Sequence, residues 1–295
     1  MGGTACRGPH LIRDGDTPSL PSVMLALWGE FSTVAAFRMS TLKSFTVDEL
    51  NVRVYPSQAE LSTDVAQIVR DHFAATIARQ GSAAAIMATG NSQIQFLDKL
   101  VALGGVDWSK VTLFHMDEYL GLKGDHQASF RRYMRERVAS RVQPGHFHYL
   151  DGDVDLPLDE CARYTALLKA QPIDLCCLGV GENGHLAFND PPVARFDDAH
   201  FVKLVKLDDA CKWQQVNEGH FPSLEAVPPY AFTLTIPALL SAKKVICIAP
   251  EKRKAKAVKA MLEGPITTDC PASILRPQAN ATLFLDTDST SLLKV

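Results

Sequence analysis

From Asn51 onward, short apolar runs alternate with segments whose apolar residues recur at helical spacing, and this alternation constrains the fold more than any other feature. Asn51–Tyr55 alternates as a strand does, and Gln58–Arg79 then places Leu61, Val65, Ile68, Val69, Phe73 and Ile77 on one helical face. The pattern predicts strands at Ala83–Ala88, Val111–Met116, Phe147–Leu150 and Asp174–Leu178, separated by helices at Gln93–Leu103, Gln127–Val138 (basic and amphipathic) and Leu158–Ala170. Further strands are expected at Val202–Leu207, Phe232–Ile236 and Lys244–Ile248, then a helix at Lys252–Leu262 and a last strand at Thr282–Leu285. Strands joined through helices pair in parallel and carry helices on both faces, so the predicted class is α/β with a mostly parallel sheet. No repeat and no linker divides the chain, and residues 46–295 read as a single domain.

Residues 1–45 read as a disordered extension, because Gly2-Gly3, Pro9, Pro18 and Pro21 punctuate them and no period is sustained. Met39 opens a segment that looks like an ordinary protein start, which makes 1–38 the dispensable part. Asp14, Asp16 and Glu30 spoil a secretory signal. The longest apolar candidate, Val23–Phe37, is broken by Glu30 and falls short of the ~18 residues of a membrane span.

Thirty Lys and Arg stand against 33 Asp and Glu, for a formal charge of -3, without the basic excess of a general nucleic-acid binder. A small molecule, rather than nucleic acid or membrane, is the expected partner. The seven cysteines, Cys6, Cys161, Cys176, Cys177, Cys211, Cys247 and Cys270, are odd in number and form no C-x-x-C. They fit reduced, mostly buried thiols of a cytoplasmic protein, not disulfides or a zinc site. Cys176 and Cys177, adjacent on a strand, should point to opposite faces.

In an open α/β sheet, ligands bind beyond the carboxyl ends of the strands, so the residues following each strand are the candidates. After Ala83–Ala88 come Thr89-Gly90-Asn91-Ser92, whose hydroxyls and helix-opening amides suit a phosphate, although a plain turn capped by Ser92 reads equally well. After Val111–Met116 come Asp117 and Glu118. A carboxylate beside Phe114, Met116 and Tyr119 is placed to serve as a base, while the bland reading has one of the two capping a helix or pairing with Arg131 or Arg132. After Asp174–Leu178, Gly179, Gly181 and Gly184 match G-x-G-x-x-G, but Pro191 and Pro192 leave no room for the helix that a dinucleotide fingerprint requires, and Leu186–Asn189 reads extended. His185 and Asp190 are a candidate proton-transfer pair. Lys254, in the run Lys252-Arg253-Lys254, and Lys212 could each reach a phosphate or belong to a solvated face.

Phe114 to Leu122, then Asp125-His126, Gly179 to Asn189, and Pro271 to Leu275 together resemble the glucosamine-6-phosphate deaminase (isomerase) family, over roughly residues 50–290. The resemblance implies a Rossmann-like α/β fold and conversion of glucosamine 6-phosphate to fructose 6-phosphate and ammonia, with no metal and no cofactor. It casts Asp117 as the base that moves a proton from C2 to C1 and His185 as the ring-opening histidine. Asn183, where many members have Asp and others Asn, and Asp190 are counted with them as catalytic. Thr89, Gly90, Asn91 and Ser92 match the phosphate loop, and Lys254 the phosphate lysine. Two positions depart from the pattern. Asp190 replaces a usual Glu and should lengthen the contact to His185. Lys212 replaces an arginine and loses its fork.

The competing readings are a galactosamine-6-phosphate deaminase, a 6-phosphogluconolactonase-like hydrolase, a sugar-phosphate sensor of a transcription regulator and a non-catalytic sugar-phosphate binder. The sensor would need a helix-turn-helix ahead of it, and residues 1–45 show no helix pair. Assembly into a homo-oligomer stays open.

Overall fold

The computed structural model describes Gly2 and residues 41–294. The expected extension lies outside the described residues up to residue 40. Its expected end at residue 45 falls inside a strand, β1 (Lys43–Val47), which pairs antiparallel with β2 (Leu50–Tyr55). The helix α1 (Gln58–Gln80) follows, opened by Ser57 as N-cap, whose hydroxyl accepts from the Glu60 N–H and donates to the Glu60 carboxylate. Next come β3 (Ala83–Met87), α2 (Ile94–Ala102), β4 (Val111–His115) and β5 (Asp117–Tyr119). The basic helix divides into α3 (Phe130–Met134), a π-helical turn at Arg135–Ala139, and α4 (Ser140–Val142). The strand β6 (His146–His148), α5 (Pro157–Lys169), β7 (Leu175–Gly179) and β8 (Val202–Lys206) continue the chain. It ends through α6 (Asp209–Asn217), β9 (Tyr230–Leu234), α7 (Ile236–Leu240), β10 (Val245–Ile248), α8 (Ala255–Glu263) and β11 (Ala281–Asp286).

Eight strands form the main sheet in the order β1-β2-β11-β10-β7-β3-β4-β6. All its neighbours are parallel except the β1–β2 hairpin. The mostly parallel α/β expectation is met, with one correction. Val202–Leu207 and Phe232–Ile236 do not join this sheet. As β8 and β9 they form a separate antiparallel sheet with β5, ordered β5-β9-β8.

Alternate residues of each central strand enter cores on opposite faces. Ile86, Phe114, Cys176 and Cys247 pack on one side with Tyr164 of α5 and Val258 and Met261 of α8. Ala85, Met87, Leu113 and Cys177 pack on the other with Val65, Val69 and Phe73 of α1 and Phe96 of α2. Cys176 and Cys177 thus face opposite ways, as expected, and the six described cysteines are buried and unpaired. No helix among the described residues is long and apolar enough to cross a membrane.

From β3 the chain moves outward to β4 and β6, then returns to β7 on the other side of β3. Loops leaving β3 and β7 therefore diverge around a crevice, the usual ligand position in such sheets.

Candidate active site

That crevice holds a pocket of about 270 Å³, lined by Thr89, Gly90, Asn91 and Ser92 after β3, Asp117 at the start of β5, Gly181 and His185 after β7, and Arg253 and Lys254 after β10. The Thr89–Ser92 loop ends in a single 3-10 turn leading into α2. Gly90 has φ +102°, open to glycine and strained for other residues, and its carbonyl accepts from the Tyr133 hydroxyl at 2.9 Å. Loop amides and the Ser92 hydroxyl stand at the head of a nine-residue helix, an arrangement whose chemistry suits an anion. Lys254 is 3 % exposed and makes no ion pair among the described residues, so its ammonium is available to that anion. Burial and then the neighbouring Arg253 hold its pKa below the ordinary lysine value.

The two carboxylates after β4 have different fates. Glu118 accepts from the backbone N–H of Tyr119, Phe130 and Arg131 and from the Ser129 hydroxyl, and lies 3.4 Å from the Arg131 guanidinium. It is the capping and pairing carboxylate of the bland reading, and it fastens α3 to β5. Asp117 is 6 % exposed, and its buried Oδ1 meets no donor among the described residues. Burial, reinforced by Glu118, raises its pKa well above 3.8. A buried carboxyl with unused acceptors, open to a pocket, is ready to take up a proton.

After β7 no helix intervenes before β8, in keeping with the rejected dinucleotide fingerprint. Leu186–Asn189 is not extended, as its composition suggested. It is a tight turn closed by a Leu186–Asn189 bridge, with Ala187 at φ +51°. This turn brings Asp190 back to His185, with Nδ1 to Oδ1 at 2.8 Å. The shorter side chain does not lengthen the contact, because the turn supplies the reach. Asn183 donates to the same Asp190 oxygen at 2.8 Å and accepts from the His185 N–H at 3.0 Å. Burial works against the Asp190 charge, but His185, Asn183 and Cys211 outweigh it and hold its pKa below 3.8. An ionised Asp190 keeps the proton on Nδ1 and leaves Nε2 for the pocket. The His185 ring lies on Gly181, where a Cβ would come within 2.2 Å of it. The Gly184 carbonyl accepts from Ala272 N–H at 2.8 Å, so the Pro271–Leu275 turn braces this loop from behind.

Asn183 and Asp190 therefore stand behind His185 and do not line the pocket. Lys212 is a correction. It lies on α6, 3.1 Å from Asp209, and is not among the pocket residues. A second pocket cation comes instead from Arg253, paired with Glu218 and, at 2.8 Å, with Glu251. Burial opposes the Glu218 charge, yet His220 and Arg253 bring its pKa down to about 2. Gln214, Gln215 and Glu218 of the α6 region also line the pocket and were not foreseen. Their signal was present: Cys211, Gln214, Gln215 and Glu218 follow helical i, i+3, i+4, i+7 spacing after Asp208.

Ligand-capable atoms of His185, Asp190 and Cys211 come within 4.8 Å of one another. His185 and Asp190 are already bonded to each other, and burial pushes the Cys211 thiol up, so the donor set suits holding a proton better than holding a metal.

An anion seat and proton-moving groups meeting at strand ends are what an α/β enzyme of small phosphorylated molecules requires. The family model described as "Glucosamine-6-phosphate isomerases/6-phosphogluconolactonase" matches residues 56–284, and the chain belongs to that family. A glucosamine-6-phosphate deaminase of Exiguobacterium sibiricum is 37 % identical over 207 residues, 70 % of this chain and 80 % of the relative. Another, of Oenococcus oeni, is 31 % identical over 244 residues, 83 % and 99 % of the two chains. A solved structure of a monomeric glucosamine-6-phosphate deaminase superposes with TM-score 0.75 at 32 % identity, covering 82 % of this chain and 99 % of that one. A 6-phosphogluconolactonase of Shewanella baltica, at TM-score 0.68 and 17 % identity over 84 % of this chain and 100 % of that one, shares the fold.

Proposed function

We propose that this pocket converts glucosamine 6-phosphate and water to fructose 6-phosphate and ammonia. The phosphate sits on Thr89–Ser92, with Lys254 and Arg253 supplying positive charge. His185, oriented by Asp190 and Asn183, moves a proton between the ring oxygen and the C1 hydroxyl, which opens the pyranose. Asp117 takes the proton from C2 and returns one to C1 on the same face of a cis-enolamine. The amino-sugar carbon becomes an imine, and water replaces nitrogen as ammonia leaves. No cofactor enters the scheme. The partner is a small sugar phosphate, and the protein works in the cytoplasm on amino-sugar metabolism.

Asp117 carries the reading. A lactone hydrolase needs one base to activate water, which His185 provides, and would leave a buried carboxylate with a donorless Oδ1 without a task. The relatives at 31–37 % identity support the same choice. The test is ammonia release measured across glucosamine, galactosamine and mannosamine 6-phosphates. Release from glucosamine 6-phosphate is expected. None from glucosamine 6-phosphate overturns the reading.

A further inference from the structure

The α6 region turns Gln214, Gln215 and Glu218 into the pocket wall, and they belong to two rows with different neighbours. Gln214 accepts from the Glu182 N–H at 3.1 Å and donates to Glu218 at 2.9 Å, and Glu218 in turn pairs with Arg253. That row belongs to the cation end. Cys211 and Gln215, four residues apart on one face, belong to the proton-transfer end. Cys211 lies beside Asp190, and the Gln215 side-chain Oε1 accepts from the Tyr119 hydroxyl at 2.8 Å. Tyr119 is two residues from Asp117 on β5, so the two side chains leave the strand on the same face.

Gln215 is therefore fixed at one atom. Its carbonyl is held by a fully buried tyrosine, itself packed between Phe130, Phe188 and Phe221. Its amide Nε2 meets no acceptor among the described residues, and the residue lines the pocket. A half-satisfied carboxamide with its free end in a binding pocket is the usual form of a substrate donor. Gln215 is tied through Tyr119 to the strand that carries Asp117 and is the chain neighbour of Gln214 in the cation row, so the substrate atoms assigned to it are those between the reacting carbons and the phosphate-bearing one. C1 and C2 react, and C6 bears the phosphate. The hydroxyls left in the middle are those on C3 and C4.

We infer that Gln215 is a specificity-determining residue, donating from Nε2 to the C3 or C4 hydroxyl oxygen of the sugar phosphate, and that Tyr119 is the positioning residue that aims it. The inference rests on the sugar-phosphate reading of the same pocket. It places recognition of the sugar's middle on α6, separate from phosphate and proton transfer.

The experiment is a cycle between protein and substrate. On the full chain, Gln215→Ala should raise KM about tenfold while kcat changes less. On wild type, either 3-deoxy or 4-deoxy glucosamine 6-phosphate should show a KM raised by a similar factor. That same analogue should show no further rise on Gln215→Ala. Tyr119→Phe should raise KM in the wild type and leave it unchanged in Gln215→Ala. Calorimetric binding in the Asp117→Asn background, where turnover is stopped, reads the same cycle without catalysis. Additive losses for both analogues, or a Tyr119→Phe effect undiminished in Gln215→Ala, overturn the inference. Wild-type ammonia release with additive losses would leave the functional reading standing alone. A coupled binding cycle without ammonia release would overturn that reading and keep Gln215.

Discussion

A carboxylate in water is solvated by several donors, and Asp117 has given up most of these while its buried Oδ1 gains no protein donor in return. The fold bears that cost, and its signature is a pKa raised well above 3.8. The sign of the pH dependence follows. Between the unfolded value near 3.8 and the raised folded value, the folded state binds more protons, so stability falls as pH rises through this window. Asp117→Asn should therefore melt higher than wild type at pH 8 and lose that advantage near pH 3. Melting curves at the two pH values check it. The same variant should keep sugar-phosphate binding and lose about 10²–10⁴-fold in turnover. At the neighbouring histidine the expected effect is selective. His185→Gln should slow ammonia release from the cyclic amino sugar far more than hydrogen–deuterium exchange at C1 of fructose 6-phosphate, which draws on the open chain. Equal damage in both assays would assign the histidine to enolisation instead. Lys254→Ala should raise KM by about 10–150-fold, matching a charge-assisted contact of roughly 1.5–3 kcal/mol; an unchanged KM would make the lysine a bystander.

At the scale of elements, the site is four strand ends and one helix. The strand-end parts were legible in the sequence because each follows directly on an apolar run: Thr89–Ser92, Asp117, His185 and Lys254 all line the pocket. What escaped was set by tertiary contacts. Whether Asp117 or Glu118 is the free carboxylate depends on Ser129, Phe130 and Arg131, eleven to thirteen residues on, which claim Glu118. Lys212 was singled out by charge, yet α6 presents Gln214, Gln215 and Glu218 to the pocket and turns Lys212 toward Asp209. The antiparallel β5-β9-β8 sheet has three strands that look locally like any others, so only their partners reveal it. The β7 loop offers a test of element geometry. In Gly181→Ala the new Cβ would meet the His185 ring at 2.2 Å, and the ring must leave its place on Asp190. Turnover should fall as far as in His185→Gln, with an unaltered circular dichroism spectrum. Activity near wild type would show that the ring is not held where the loop puts it.

Across the whole molecule, the parallel sheet supplies rigid positions and the divergence of β3 and β7 supplies the opening between them. The shared fold of deaminase and lactonase structures shows that this frame does not choose the reaction. In the proposed scheme the choice lies with the groups at the strand ends, Asp117 above all. The direct measurement sets wild type and Asp117→Asn against two substrates, following ammonia and fructose 6-phosphate from glucosamine 6-phosphate and acid release from 6-phosphogluconolactone. Equal amounts of ammonia and fructose 6-phosphate from wild type, almost none from Asp117→Asn, and lactone opening no faster than the spontaneous rate are predicted. Rapid lactone hydrolysis without ammonia, undiminished in Asp117→Asn, would contradict the account.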